Sequence, residues 1–303
     1  GVAAPLLVTM STMPDVRIDL QGQSLVYRDF RASALQLHGE LPWSQGDGTL
    51  SVDAEDVHAG VALASLHANL RGALSRLVVE LDARGEAGAL DIAGSARQTG
   101  TRWQGQLTRL SLAPTQGSAW ALRSPSNWAW DGHAISISDT CLQATLGGSL
   151  CGSGAWPRAG IALKGDALPL ALLADWLPTR ENGRRWSLDG TLDLDARIAS
   201  AGAGWTASAS VQSTSGGLRS GARARRVLFG YRDLKLALQA NPQRIEGSIT
   251  AGLSGGGRID AQLATGWDAA ASLTGSLRAN TKELTWLELL SPDLAEPGGA
   301  LSV

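Results

Sequence analysis

The chain has 303 residues, enough for one large or two ordinary domains, and carries 26 basic and 28 acidic side chains well mixed along it. That balance leaves no electrostatic footprint for nucleic acid. No apolar run approaches the ~20 residues that span a bilayer, and the short APLLVTM (4–10) lacks the flanks of a signal peptide. Lacking a Met at position 1, the sequence reads as a piece of something longer.

Alternation of apolar and polar residues opens at VRIDL (16–20). It continues through LQLHGEL (35–41), LSVDA (50–54), VVELDA (78–83), ALDIAG (89–94) and ISISD (135–139). Successive strand side chains point to opposite faces, so this period predicts strands with one apolar and one wet face. Turn residues punctuate it at GDG, GG, NPQ and SGGG. Strands of parallel α/β folds are buried on both faces and read as continuous apolar runs, which argues against that class. The 37 glycines, with only two Phe and 11 Trp, fit an all-β chain whose apolar face is made of small and aliphatic residues.

The only two cysteines lie in CLQATLGGSLC, at 141 and 151. The segment predicts two strands joined by a tight turn near Leu146, with Cys141 opposite Cys151. Directly opposed residues of a non-hydrogen-bonded pair have Cα atoms ~4.5 Å apart, within disulfide range. Two reduced thiols are the alternative. Zinc fits poorly, because paired zinc ligands usually sit two to four residues apart.

Two stretches break the strand period. LPLALLADWLP (168–178) predicts a short amphipathic helix, with Pro169 in its first turn, Pro178 to stop it, and Leu170, Leu173 and Leu177 on one buried stripe. TKELTWLELLSPDL repeats the plan from Thr281, predicting a second helix over 281–291. Between them the alternation resumes at LDGTLDLDARI (188–198), DLKLALQA (233–240), RIEGSITA (244–251), GRIDAQLATGW (257–267) and SLTGSLRA (272–279). Strand runs punctuated by a short helix make an internal repeat of about 110 residues. The expected segments are 1–167, then 168–280 opened by the first helix, then 281–303 as the start of a further repeat.

Catalytic constellations are not legible. His38, His58, His67 and His133 are scattered, and Asp193 and Asp195 occupy the wet phase of a strand. GLSGG (252–256) formally matches a nucleophile elbow around Ser254, but that motif needs a helix after it and GRIDAQLA continues as strand. No phosphate loop, metal site or cofactor site emerges, and the expectation is a non-enzyme without cofactors. An apolar sheet face must be covered by a second sheet, by helices or by a ligand. The residues expected to line it are Ile18, Leu20, Leu37, Val52, Leu81, Ile92, Ile137, Leu192, Leu194, Leu236, Leu238, Ile259, Leu263 and Leu273. An acyl chain on such a lining gains ~0.8 kcal/mol for each buried methylene.

In order along the chain, WQGQLTRLSL (103–112), WALRSPSNW (120–128), the cysteine hairpin with CGSGAW, ALPLALLADWLP and GTLDLDARI resemble the middle of the TamB family. These are AsmA-like bridge proteins of the translocation and assembly module of Gram-negative bacteria, and the resemblance runs from about Leu35 to Val303. It implies a long periplasmic sheet rolled into an open U-shaped groove with an apolar interior, anchored in the inner membrane through a segment absent here. It also implies a TamA-like outer-membrane β-barrel as partner, reached through a region outside this chain, and phospholipid as cargo. Three readings follow: a segment that shields or conducts phospholipid acyl chains between the membranes, a β-scaffold assisting insertion of outer-membrane β-barrel proteins and autotransporters, and a solenoid-type carbohydrate-acting enzyme, for which the clustered carboxylates and aromatics are missing.

Overall fold

The computed structural model describes residues 15–27, 30–42, 46–58, 60, 62–73, 75–177, 186–202, 204–219, 221, 227–268, 271–281 and 301–302. Among these it is built almost wholly of antiparallel strands, and it divides into two compact units, Gly1–Thr145 and Leu146–Val303.

The first unit is a meander. β1 (Asp15–Tyr27), β2 (Phe30–Pro42), β3 (Gly48–His58), β4 (Ala62–Ala73), β5 (Arg76–Gly85), β6 (Gly88–Thr99) and β7 (Arg102–Pro114) each pair with the next. The short β8 (Trp120–Leu122) and β9 (Ser126–Trp130) follow. Both pair with β7 on one side and with β10 (Ile135–Ala144) on the other, so together they fill one strand position.

The second unit repeats the plan. It runs from β11 (Ser149–Trp156) and β12 (Gly160–Pro169) to β13 (Ser187–Ala201), β14 (Gly204–Arg219) and β15 (Val227–Ala240). β16 (Ile245–Leu253), β17 (Gly257–Thr265), β18 (Thr274–Thr281) and the short β19 (Leu301–Ser302) complete it, each paired with its predecessor from β12 on.

The alternation that predicts strands is visible as alternating burial. On β13, Leu192, Leu194, Ala196 and Ile198 are half-buried while Asp193, Asp195 and Arg197 are exposed. A period of two in the sequence thus becomes two chemically different faces of one sheet.

The strands are not regular along their whole length. Ser24, Asp56, Ala167 and Asp233 have φ of 53°, 47°, 47° and 51°, in the left-handed region that costs a non-glycine residue energy. At Ala167 and Asp233 the pairing register also shifts, which marks β-bulges that bend a strand and increase its twist. In each case the next residue, Leu25, Val57, Leu168 or Leu234, is apolar and at least half-buried. Leu168 lies over Gly165 so closely that a Cβ there would stand 2.5 Å from its Cδ1. Around the first-unit kinks Ala32, Ala54 and Val57 form a small core with Leu35, Leu63 and Leu66.

The first expected helix needs correction. β12 runs on to Pro169, and a 3-10 helix follows over Leu170–Trp176, with none of its residues buried. Leu170 and Leu177 are half-buried, but Leu173 is 49% exposed, so the leucines do not form the buried stripe expected of them. With three residues per turn, Leu170, Leu173 and Trp176 line up on one side, and that side turns progressively into solvent. Of the second expected helix, Thr281 ends β18 and the rest lies outside the described residues. No helix among the described residues is long and apolar enough to cross a membrane.

Candidate functional site

Cross-strand partners share a sheet face, so register decides which side chains gather together. In the first unit one row runs Leu20–Leu37–Val52–Ala68–Leu81–Ile92–Leu110, apolar across seven strands from β1 to β7. Five of its members were singled out from the sequence, far apart along the chain. One step of two residues away, Ile18–Gly39–Leu50–Leu70–Val79–Gly94–Leu107 runs alongside it. Ile137 stands opposite Trp128, which stands opposite Gly105, on the same face at the far side of the unit. Trp103 and Trp130 pair there too.

The second unit carries the corresponding surface. Leu150–Gly165–Leu194–Val211–Leu236–Ile249–Ala261–Leu277 crosses β11 to β18 without a polar residue. Beside it lies Gly152–Leu163–Ala196–Ala209–Leu238–Gly247–Leu263–Gly275, which joins Leu238 and Leu263 through a glycine. On the other side of the Leu194 row, Leu192 opposes Leu168, and Ile259 opposes Ala251 and Ala279. Leu273 is separate: it precedes β18, outside any strand, and is exposed.

The opposite faces are polar. In the second unit Asp193–Gln212–Lys235–Thr250–Asp260–Arg278 forms one continuous row. Ion pairs stand at the surface beside it: Arg258 donates from Nε and Nη2 to the Asp260 carboxylate at 2.7 and 2.9 Å, and Arg244 meets Glu246 at 3.0 Å. The Arg258 guanidinium holds the Asp260 carboxyl below its ordinary value. Exposed pairs of this kind add little to stability, because solvent screens them, and serve mainly to keep the face wet.

In the first unit the polar face carries Gln21–Gln36–Asp53–His67–Asp82–Asp91–Ser111. His67 Nδ1 meets the Asp53 carboxylate and its Nε2 accepts from Asn69 Nδ2 at 2.8 Å. Asp82 stands directly across from Asp91. Its hydrogen bond raises the Asp91 carboxyl above the usual value, helped by desolvation and by the like charge, against the pull of Arg109 and Arg84. Among the described residues no group of three or more His, Cys, Asp or Glu side chains could hold a metal ion.

Ser254 lies in the turn between β16 and β17, its amide donating to the Gly230 carbonyl at 2.9 Å. Strands flank it on both sides, so the geometry of a nucleophile elbow is not built there. Cys141 and Cys151 are both disulfide-bonded. Each sits in the polar phase of its own unit: Cys141 next but one to Gln143, whose partner is Ala121, and Cys151 opposite Lys164.

The sequence reading missed the residues that complete the rows, Ala68, Leu110, Val211, Ile249 and Leu277, and the indoles of Trp128 and Trp130. Strand phase was readable for most of them; the register that joins them was not.

The family model described as TamB, N-terminal domain, matches residues 10–303. The chain belongs to the TamB family. TamB proteins are envelope-associated, bridge-like and non-enzymatic, and they work with an outer-membrane partner in envelope biogenesis. The match starts ahead of Leu35, and to the TamB N-terminal domain, where the resemblance had pointed to the middle of these proteins. No curated protein and no solved structure matches the chain.

Proposed function

We propose that this TamB-family chain is a periplasmic bridge segment, without enzymatic activity, whose apolar sheet faces shield or conduct phospholipid acyl chains between the inner and outer membranes. The observation that carries the reading is the unbroken apolar row on one face of each unit, directly backed by a polar row on the other. A row of Leu, Ile, Val, Ala and Gly offers non-directional contact, with nothing that hydrogen-bonds a ligand in one place. That suits a cargo that slides, because each methylene moves between equivalent sites worth ~0.8 kcal/mol. In this proposal residues 1–167 and 168–280 are successive groove segments and 281–303 begins another. The lining is Ile18, Leu20, Leu37, Val52, Leu81, Ile92 and Ile137, then Leu192, Leu194, Leu236, Leu238, Ile259 and Leu263, with Leu273 beside it ahead of β18. A TamA-like barrel docks outside this chain, and the anchor to the inner membrane lies outside it as well.

The test uses the two faces against each other. A photocrosslinking residue at Leu194 or Ile259 is expected to capture phospholipid, and one at Asp193 or Asp260 is not, because a single step along a strand reverses the face. Equal capture from both faces indicates surface adsorption and removes the conduit. Capture from neither face turns the choice to a scaffold for outer-membrane β-barrel proteins.

A further inference from the structure

The apolar face of the second unit is not uniform along its strands. On β15 the side chains pass from Tyr231, 9% exposed, through half-buried Leu234 and Leu236 to Leu238, 40% exposed. β17 repeats the trend from Ala261 at 9% to Leu263 at 48%, and on β16 Leu253 and Ala251 are buried. The cause is local. The kinks at Ala167 and Asp233 bring Leu168 onto Gly165 and set Tyr231 over Gly216, so this end of the face closes on itself.

The other end is built differently. Trp267 is 53% exposed, and its ring meets Trp205 edge-on with centroids 5.8 Å apart. Its Nε1–H donates to the carbonyl of Asn241 at 2.7 Å, in the polar turn between β15 and β16. An indole with an apolar body and its N–H on a wet turn is the side chain suited to a boundary between hydrocarbon and water.

We infer that this face holds a phospholipid in one orientation, with its tail ends toward Tyr231 and Leu253 and its glycerol-phosphate end at the Leu238, Leu263 and Trp267 margin. The inference rests on the lipid-facing reading above and adds a direction to it. An amphiphile exposes least tail when its methyl ends lie where water is already excluded. Its ester and phosphate oxygens need hydrogen-bond partners and are costly to bury without them. The dimensions agree: an ordered tail spans about half of the ~30 Å hydrocarbon core of a bilayer. At ~3.3 Å per strand residue that is four or five residues, so a tail entering at Leu238 reaches Leu234 with its end directed toward the buried margin at Tyr231.

The experiment compares two phospholipids on the intact protein, one with a diazirine in its headgroup and one with a diazirine at the end of a tail. A genetically introduced nucleophilic tag is unnecessary, since the probe itself reacts; captured peptides are mapped by mass spectrometry around Leu238 and Leu263 and around Leu234 and Ile259. The headgroup probe is expected to label the first pair several-fold more than the tail probe, with the ratio reversed at the second pair. A ratio that is the same at all four positions, or reversed from this expectation, overturns the orientation and leaves lipid binding standing. Labelling by neither probe at any of the four overturns both. Using the unaltered chain removes the risk of a variant that fails to fold.

Discussion

Ser213 and Tyr231 make a buried polar contact at the kinked margin of the second unit. The Ser213 hydroxyl donates to the Thr191 carbonyl at 2.6 Å, which leaves Tyr231 to donate its phenolic hydrogen to Ser213 Oγ at 2.8 Å. Tyr231→Phe keeps the ring over Gly216 and loses only that bond, so it should cost about 1 kcal/mol in urea unfolding. A loss several times larger would mean that the hydroxyl, and not the ring, holds the margin closed. Asp91 supplies a pH dependence of opposite sign to the usual carboxylate. Its value is raised in the folded chain, so the stability it contributes is fully present below the unfolded value of ~3.9 and is lost as pH rises through the folded one. Asp260 runs the other way: its contribution is present above that unfolded value and lost as pH falls through the lowered folded one. Asp91→Asn should therefore raise stability at neutral pH and flatten the loss between acid and neutral conditions, followed as melting temperature across a pH series. A variant that melts lower at neutral pH would contradict the repulsion across β5 and β6.

At the scale of elements, the 3-10 helix is where expectation and structure part. Leu173→Asp was the natural way to break a buried amphipathic helix; with Leu173 half in water it should cost less than about 0.5 kcal/mol in thermal unfolding. A cost of several kcal/mol would restore the buried stripe. The misreading has a physical source. Leucines three apart at 170 and 173 fit both helix types, and the window between Pro169 and Pro178 is too short for a period of 3.6 to declare itself. Strands were readable because their period of two repeats many times, as in TLDLDARI, where every second residue is half-buried. The kinks were not readable. Left-handed residues are normally flagged by glycine, asparagine or aspartate; Asp56 and Asp233 fit that pattern only weakly, and Ser24 and Ala167 take the conformation with no such flag. Phase along a strand is thus written in the local sequence, while register and kinks depend on residues elsewhere. Leu20, Leu37, Val52, Leu81 and Ile92 could each be marked as facing one side, but only the ladder places them in a single line.

For the whole molecule, the apolar rows connect fold to proposed activity, and a charge placed in one should separate the two. Leu194→Arg puts a guanidinium inside the apolar row from Leu150 to Leu277, yet Leu194 is only half-buried and a long side chain can carry its charge to water. The variant should keep its strand content by circular dichroism and lose phospholipid transfer between donor and acceptor vesicles in assays of the intact protein. Undiminished transfer would take the Leu194 row out of the path. Another consequence lies in the order of pairing. Within each unit the strands join in the order in which they are made, with β8 and β9 sharing a single place in the succession. A chain emerging from its N-terminus can therefore lay down each hairpin on a finished edge, and no strand waits for a distant partner to be synthesised. Apart from 170–186 and 282–300, the loops to be closed are short, which keeps the entropic barrier to those additions low. Such a molecule can lengthen over evolutionary time by inserting one more hairpin, with the rows already formed left in place, so its reach is tunable without redesign of its interior.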